Sequence, residues 1–454
     1  MLSGLRRFGL RARPGLEARV FAQFGHTSAL MMPVPTPSDL SRAPSAGPKP
    51  VHISGFEARQ GVLLVGGQAI TELAQRLGTP FYAYDRALLR ARVAELRRAL
   101  PPRLGLHYAM KANPMAELLR FMVGLVDGID VASGGELQQA LQAGASPLHI
   151  SFAGPGKRDE ELRQAVQSGV LVNVESPREL AVLAAAQQAL GLPARVALRV
   201  NPDFELKGSG MRMGGGAKPF GIDAELVPSV LADVGRWGLS FEGFHVYAGS
   251  QNLRAASICE AQRLSYALAL RLAEHAPAPV RHLNLGGGFG VPYFPGDQAL
   301  DLAPIAQNLA ELVELAARDM PEAHLVLELG RYLVAEAGVY VARVLDRKHS
   351  RGEVFLVTDG GLHHHLAASG NFGQVVRRNY PVCIGTRMNA GPDEMEVASV
   401  VGPLCTPLDL LADRMALARA DVGDLVVVFQ SGAYGASASP QAFLGHPRVV
   451  EALV

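Results

Sequence analysis

The chain has 454 residues, 48% hydrophobic and 19% charged, enough for a large core and about three domain-sized units. Its 43 Lys and Arg balance 42 Asp and Glu to a formal net charge of +1, which leaves no global attraction toward nucleic acid or an anionic membrane. The three cysteines, Cys259, Cys383 and Cys405, form no CxxC pair, and no run of 18 predominantly apolar residues exists; this argues against a disulfide framework, a cysteine zinc site and a spanning helix, and for a reducing compartment, the cytoplasm.

Residues 1–30 carry Arg6, Arg7, Arg11, Arg13 and Arg19 against the single acid Glu17, and residues 33–50 hold six prolines. Such a segment cannot bury enough apolar surface to order itself, so 1–50 is expected to be a disordered or mis-started tail plus linker. Residues 51–69 read as short strands punctuated by Gly61, Gly66 and Gly67, and 51–78 is expected to join a later β domain.

From residue 79 onward, β-rich runs alternate with segments of helical spacing. Eight runs stand out, at 105–112, 128–133, 148–154, 171–176, 195–201, 241–249, 282–288 and 324–331, with helices expected over 114–123, 135–143, 158–168, 177–190 and 302–318. Eight strands with crossover helices predict a (β/α)8 TIM barrel over 79–335. After residue 336 the long helices stop, and strands at 339–345, 354–358, 396–401 and 425–429 predict a mainly antiparallel β domain over 336–454.

Barrel enzymes place their reactive groups at the C-terminal strand ends. The first run ends His107-Tyr108-Ala109-Met110-Lys111, with Lys111 on the same side as His107 by alternation. The seventh ends Gly286-Gly287-Gly288, whose bare backbone lets N–H groups approach an anion, and barrel phosphate sites favour the loops after strands seven and eight. The eighth ends Glu328-Leu329-Gly330-Arg331. Each alone reads as a rim lysine, a tight turn and a surface ion pair. Together an amine, a phosphate cradle and a carboxylate match what pyridoxal 5'-phosphate requires.

The chain resembles the barrel-type (fold type III, alanine-racemase-like) pyridoxal-phosphate decarboxylases, the group of ornithine, arginine and diaminopimelate decarboxylases. Residues 51–454 carry the likeness through Tyr108 to Asn113, Asp130 to Ser133 with Glu136, Lys218 to Ile222, Gly286 to Gly290, Glu328 with Arg331, Gly402 to Cys405, and Ser431 to Tyr434. The spelling of residues 245–253, HVYAGSQNL, is similar to the decarboxylases of bacterial exosortase systems. The resemblance implies a homodimeric α-decarboxylase acting on an amino acid, free or carrier-linked. In it Lys111 forms the cofactor imine, Glu328 pairs with the pyridine nitrogen, Ser250, Gly287, Gly288, Arg331 and Tyr434 hold the phosphate, and Gly286 belongs to the cofactor-binding loop. Asp130, Arg199 and Tyr247 complete the implied cofactor site, and Cys405 reaches the neighbouring subunit's site to protonate the carbanion. A racemase of the same architecture and a non-catalytic pyridoxal-phosphate protein are the rivals; Glu328 counts against the first, Cys405 and Tyr434 against the second.

Three positions depart from the group. Tyr247 stands where a histidine commonly stacks on the ring, with His245 two residues earlier. Thr406 replaces an acid that in several relatives reads the substrate's distal amine, although Asp409 still matches the motif's last acid. His363-His364-His365 occupies a loop where relatives contact substrate, so Thr406, Asp409 and His363 are the substrate-binding candidates. Adjacent loop histidines rarely converge on one ion, and no metal is expected.

Overall fold

The eight strands expected to form the barrel do so, at Gly105–Ala109, Gly128–Val131, Ile150–Phe152, Leu171–Val174, Arg195–Asn201, Ser240–Val246, His282–Gly287 and His324–Leu329. All neighbours run parallel, the eighth strand pairs with the first, and the fourth pairs with the fifth to close the ring. The computed structural model describes residues 55–204, 211–212, 214–372, 374 and 377–454; the expected tail and linker over 1–50 lie outside them.

The strands' outward faces are apolar and meet the helices. The helix Pro177–Leu190 shows why: proline fits its first turn, Gly191 ends it at φ 63, and Leu180, Leu183 and Ala186 are buried toward the sheet. Truncating such a leucine to alanine costs about 2–5 kcal/mol. The inward faces are different. His107, Asp130, Ser151, Asn173, Glu175, Arg199, His245, Asn284 and Glu328 are all buried in the barrel, where bulky aliphatic side chains usually dominate. Asn173 Nδ2 donates to Ser151 Oγ at 2.6 Å, and His107 Nδ1 lies 3.2 Å from Asp130 Oδ1.

The β domain departs from the expectation in three ways. Phe81–Tyr84, placed in the barrel by sequence, is instead a β-domain strand between Gly338–Ser350, antiparallel, and Val450–Leu453, parallel. Its four residues are all buried, so it is a continuous apolar run whose type the pattern could not reveal. Ala58–Arg59, Val62–Val65 and Gln68–Ala69 form their own three-stranded sheet rather than extending the larger one. That small sheet is held by Leu63 N donating to Gly385 O at 2.8 Å, and by packing of Leu63 and Val65 with Phe81, Val339 and Val427. Finally, Leu410–Ala418 is a strand that alternation misses, because Arg414 turns to φ 43 in its middle, and Val382–Ile384 is too short to show a period. Most pairings are antiparallel, whereas Glu353–Thr358 runs parallel to Met395–Val401. Among the described residues no helix is long and apolar enough to cross a membrane.

Candidate active site

Lys111 does not continue the first strand. The strand stops at Ala109, and Met110–Ala112 forms a 3-10 turn that projects the lysine over the C-terminal mouth of the barrel. The turn is pinned from the β domain: Tyr434 N donates to Ala112 O at 2.7 Å, and Asn113 Nδ2 to Gly432 O at 3.0 Å. Lys111 Nζ lies 3.5 Å from Glu328 Oε1 and 5.7 Å from the centre of the Tyr247 ring. Glu328 is buried, whereas 45% of the Lys111 side chain stays accessible from the cavity. Burial works to lower the Lys111 pKa, but the Glu328 carboxylate together with the Tyr247 and Tyr434 phenols outweighs it and holds the ammonium above the ordinary lysine range. Burial likewise pushes Glu328 up, and Lys111 followed by His245 reverses this, leaving it well below the usual carboxylate range.

On the other side of Lys111 the cavity is lined by Ser250, Gly288, Arg331 and Tyr434. A side chain at Gly288, whose φ is 75, would collide with the Gly249 carbonyl, and one at Gly287 with the Glu328 carbonyl. The Arg331 guanidinium lies 4.6 Å from the Tyr434 ring centre, and Nη1 donates to Tyr293 Oη at 2.9 Å. Ser250 Oγ is buried without a hydrogen-bond partner among the described residues. A buried unpaired hydroxyl beside an arginine and a bare glycine is a cradle with spare donors, which suits an anion. Tyr247 lines the same cavity, and burial keeps its phenol protonated far above neutral pH.

The other predicted residues sit elsewhere. Asp130 turns beneath the cavity to His107, and Arg199 Nη1 donates to Glu175 Oε1 at 2.7 Å, so neither lines the space around Lys111. Gly286 and Gly287 shape the loop behind Gly288 without lining the cavity. Asp409, expected to meet substrate, is buried, and its two oxygens accept Leu362 N at 2.6 Å and Leu404 N at 2.8 Å, which ties two loops together. His363 is likewise no cavity residue: it is fully buried in the β domain, its ring 3.7 Å from His364 and 4.8 Å from His446. Cys405 is exposed, and Thr406, next to it on the same turn, accepts Leu408 N at 3.3 Å; both lie outside the Lys111 cavity of their own chain. Among the described residues no group of three or more His, Cys, Asp or Glu is arranged to hold a metal.

Sequence reasoning missed Glu175, which gathers Arg199, Gly154 N at 2.5 Å and Gly221 N at 3.0 Å. An acid just past the fourth strand was its available signal. It also missed Tyr293 against Arg331 and the 3.1 Å approach of His245 Nε2 to Glu328 Oε2.

An eight-stranded barrel bearing an amine, an ionised carboxylate and an anion cradle at its mouth, joined to a β domain that pins the amine's turn, defines a cofactor-dependent enzyme of the pyridoxal-phosphate class. The model of the pyridoxal-binding domain of pyridoxal-dependent decarboxylases matches residues 86–335, and the chain belongs to that family. It is 42% identical over 389 residues to the L-glutamyl-[BtrI acyl-carrier protein] decarboxylase of Niallia circulans, covering 85% of this chain and 90% of that one. It is 33% identical over 406 residues to diaminopimelate decarboxylase of Aquifex aeolicus, covering 88% and 92%. The crystal structure of diaminopimelate decarboxylase from M. jannaschii in complex with L-lysine superposes with a TM-score of 0.80 at 25% identity, covering 88% of this chain and 93% of that one. The chain is thus a lyase that uses pyridoxal phosphate to decarboxylate an amino acid, free or carrier-linked.

Proposed function

We propose that this enzyme removes the α-carboxylate of an amino acid whose far end carries no free ammonium, either an acidic or neutral amino acid or an aminoacyl group tethered to a carrier protein. The observation that carries this is the turn around Cys405. Thr406 offers only a neutral oxygen, and each oxygen of the buried Asp409 already accepts a backbone N–H. A distal ammonium held away from water needs a carboxylate, because an unpaired buried charge is costly. The 42% identity to a glutamyl-carrier decarboxylase favours the acidic, tethered member of this class.

Bound pyridoxal phosphate supplies the electron sink for carbon dioxide loss. Lys111 supplies the amine that holds its aldehyde, and the ionised Glu328 is the partner for its pyridine nitrogen. Ser250, Gly288, Arg331 and Tyr434 hold the phosphate, with Gly286 and Gly287 setting the loop that allows it. Tyr247, which lines the same cavity, would offer the ring a neutral aromatic face, and Arg199 and Asp130 would act from behind and beneath. The working unit is a homodimer in the cytoplasm, in which Cys405 of the partner subunit delivers the proton to the substrate Cα. The exposed turn with Cys405 and Leu408, the latter 58% exposed, supports that exchange. The spelling of residues 245–253 supports a place beside the decarboxylases of exosortase systems, and an adjacent carrier-protein gene is the matching expectation.

Carbon dioxide release over a panel tests the substrate class. Glutamyl-carrier, neutral and acidic substrates should show higher kcat/KM than ornithine, lysine and diaminopimelate, and Thr406→Glu should shift that ratio toward the basic set by about tenfold or more. Preferred wild-type turnover of any of those three basic amino acids overturns the assignment.

A further inference from the structure

The buried carboxylate of Glu328 divides its two oxygens between two partners. Oε1 faces Lys111, and Oε2 lies 3.1 Å from His245 Nε2. His245 sits on the sixth barrel strand, in register with Arg199 on one neighbour and Asn284 on the other, and is 2% exposed. Neither of its ring nitrogens makes an aligned hydrogen bond among the described residues, and neither does the fully buried Asn284 Nδ2. A free donor thus stands in register with an imidazole on the adjacent strand. In a parallel pair these two side chains project to the same side of the sheet, so a donor from Asn284, directly or through one water, would hold His245 Nδ1 as an acceptor. That leaves the proton on Nε2, facing Glu328.

We propose that His245 is a positioning residue for Glu328. As a neutral Nε2–H donor it holds Oε2, fixes the carboxylate plane, and leaves Oε1 directed into the cavity. The inference rests on the assignment of Glu328 to the pyridine nitrogen and deepens it. Among the described residues Lys111 is the lysine or arginine within 4 Å of this carboxylate, and its nitrogen would be committed once the cofactor aldehyde is held. His245 is then the side chain still within bonding reach that keeps Glu328 ionised and aimed. The other titratable groups around the imidazole are Tyr247 at 6.4 Å between rings, Arg199 in register, and His282 on the seventh strand.

Three measurements test this. Nitrogen NMR of histidine-labelled apoprotein needs no variant and should show His245 as the Nε2–H tautomer at neutral pH; an Nδ1–H tautomer overturns the proposal. His245→Leu should weaken binding of pyridoxal phosphate roughly tenfold without weakening that of the analogue with carbon in place of the ring nitrogen, and should raise the acid limb of the kcat/KM profile. His245→Gln, which retains a neutral donor, should restore both. Equal losses for the two cofactors, or none, overturn it. Glu328→Gln provides the separation: if that variant still discriminates the two cofactors as wild type does, the parent assignment of Glu328 fails. If Glu328→Gln loses discrimination while His245→Leu keeps it, only the role of His245 fails.

Discussion

Lys111 stands past the first barrel strand and Lys157 past the third, and they lead opposite lives. Lys157 is almost wholly buried, its Nζ donating to Gly154 O at 2.7 Å and to both oxygens of Glu179 at 3.0 Å, so each ammonium proton is used. Lys111 has one carboxylate at 3.5 Å and an open approach from the cavity. Burial outweighs Glu179 at Lys157 and lowers its pKa, whereas at Lys111 Glu328 together with the Tyr247 and Tyr434 phenols outweighs burial and raises it. A charged lysine in a barrel therefore does not by itself mark a reactive centre. What marks it is bonding capacity left over, and the unpaired Ser250 hydroxyl beside Arg331 shows the same surplus at the anion end of that cavity.

The contrast breaks most cleanly by mutation. Lys111→Ala should reduce turnover by about three orders of magnitude or more and cost less stability than the change at Glu179, since the Glu328 carboxylate it leaves behind still lies 3.1 Å from His245 Nε2. Glu179→Gln should do the reverse. It strands a buried ammonium and should cost about 3–5 kcal/mol of stability, with near-normal turnover per folded molecule. Denaturant unfolding beside steady-state kinetics reads both, and similar profiles for the two variants would dissolve the distinction.

A smaller effect is expected across subunits. Cys405→Ala should lower kcat by about a hundredfold through loss of a placed proton donor. Mixing it with inactive Lys111→Ala chains should restore activity through hybrids that hold one intact site. Confirmed subunit exchange without recovery would confine each site to one chain.

The sequence pattern could find Lys111 and Glu328 because strand ends and alternation are periodic signals, and Gly286 to Gly288 because missing side chains are visible in a string of letters. It could not find the service of Asp409, whose partners are backbone N–H groups of Leu362 and Leu404. Nor could it find the burial of His363, which depends on His446 coming from 83 residues away in sequence. The same limit explains Phe81–Tyr84, where an all-buried strand carries no alternation to tell a barrel from a flanking sheet.

The histidines supply the mildest test, because like Lys157 they are buried groups whose chemistry is spent on structure. Burial pushes His363 and His365 each down to about 3 in the folded protein. Their unfolded value is about 6.5. Below that value the unfolded chain takes up protons that the folded one refuses, so stability should be full above pH about 6.5 and fall as the pH drops toward 3, by up to about 2.7 kcal/mol per unit for the pair. His365→Gln should remove about half of that slope. An unchanged slope would show that carboxylates alone govern acid unfolding.

The most direct measurement is borohydride reduction of the holoenzyme followed by peptide mass mapping. A single pyridoxyl adduct on Lys111, with Lys157 unmodified, is the predicted result; an adduct on Lys157, or on any peptide lacking Lys111, would contradict the account.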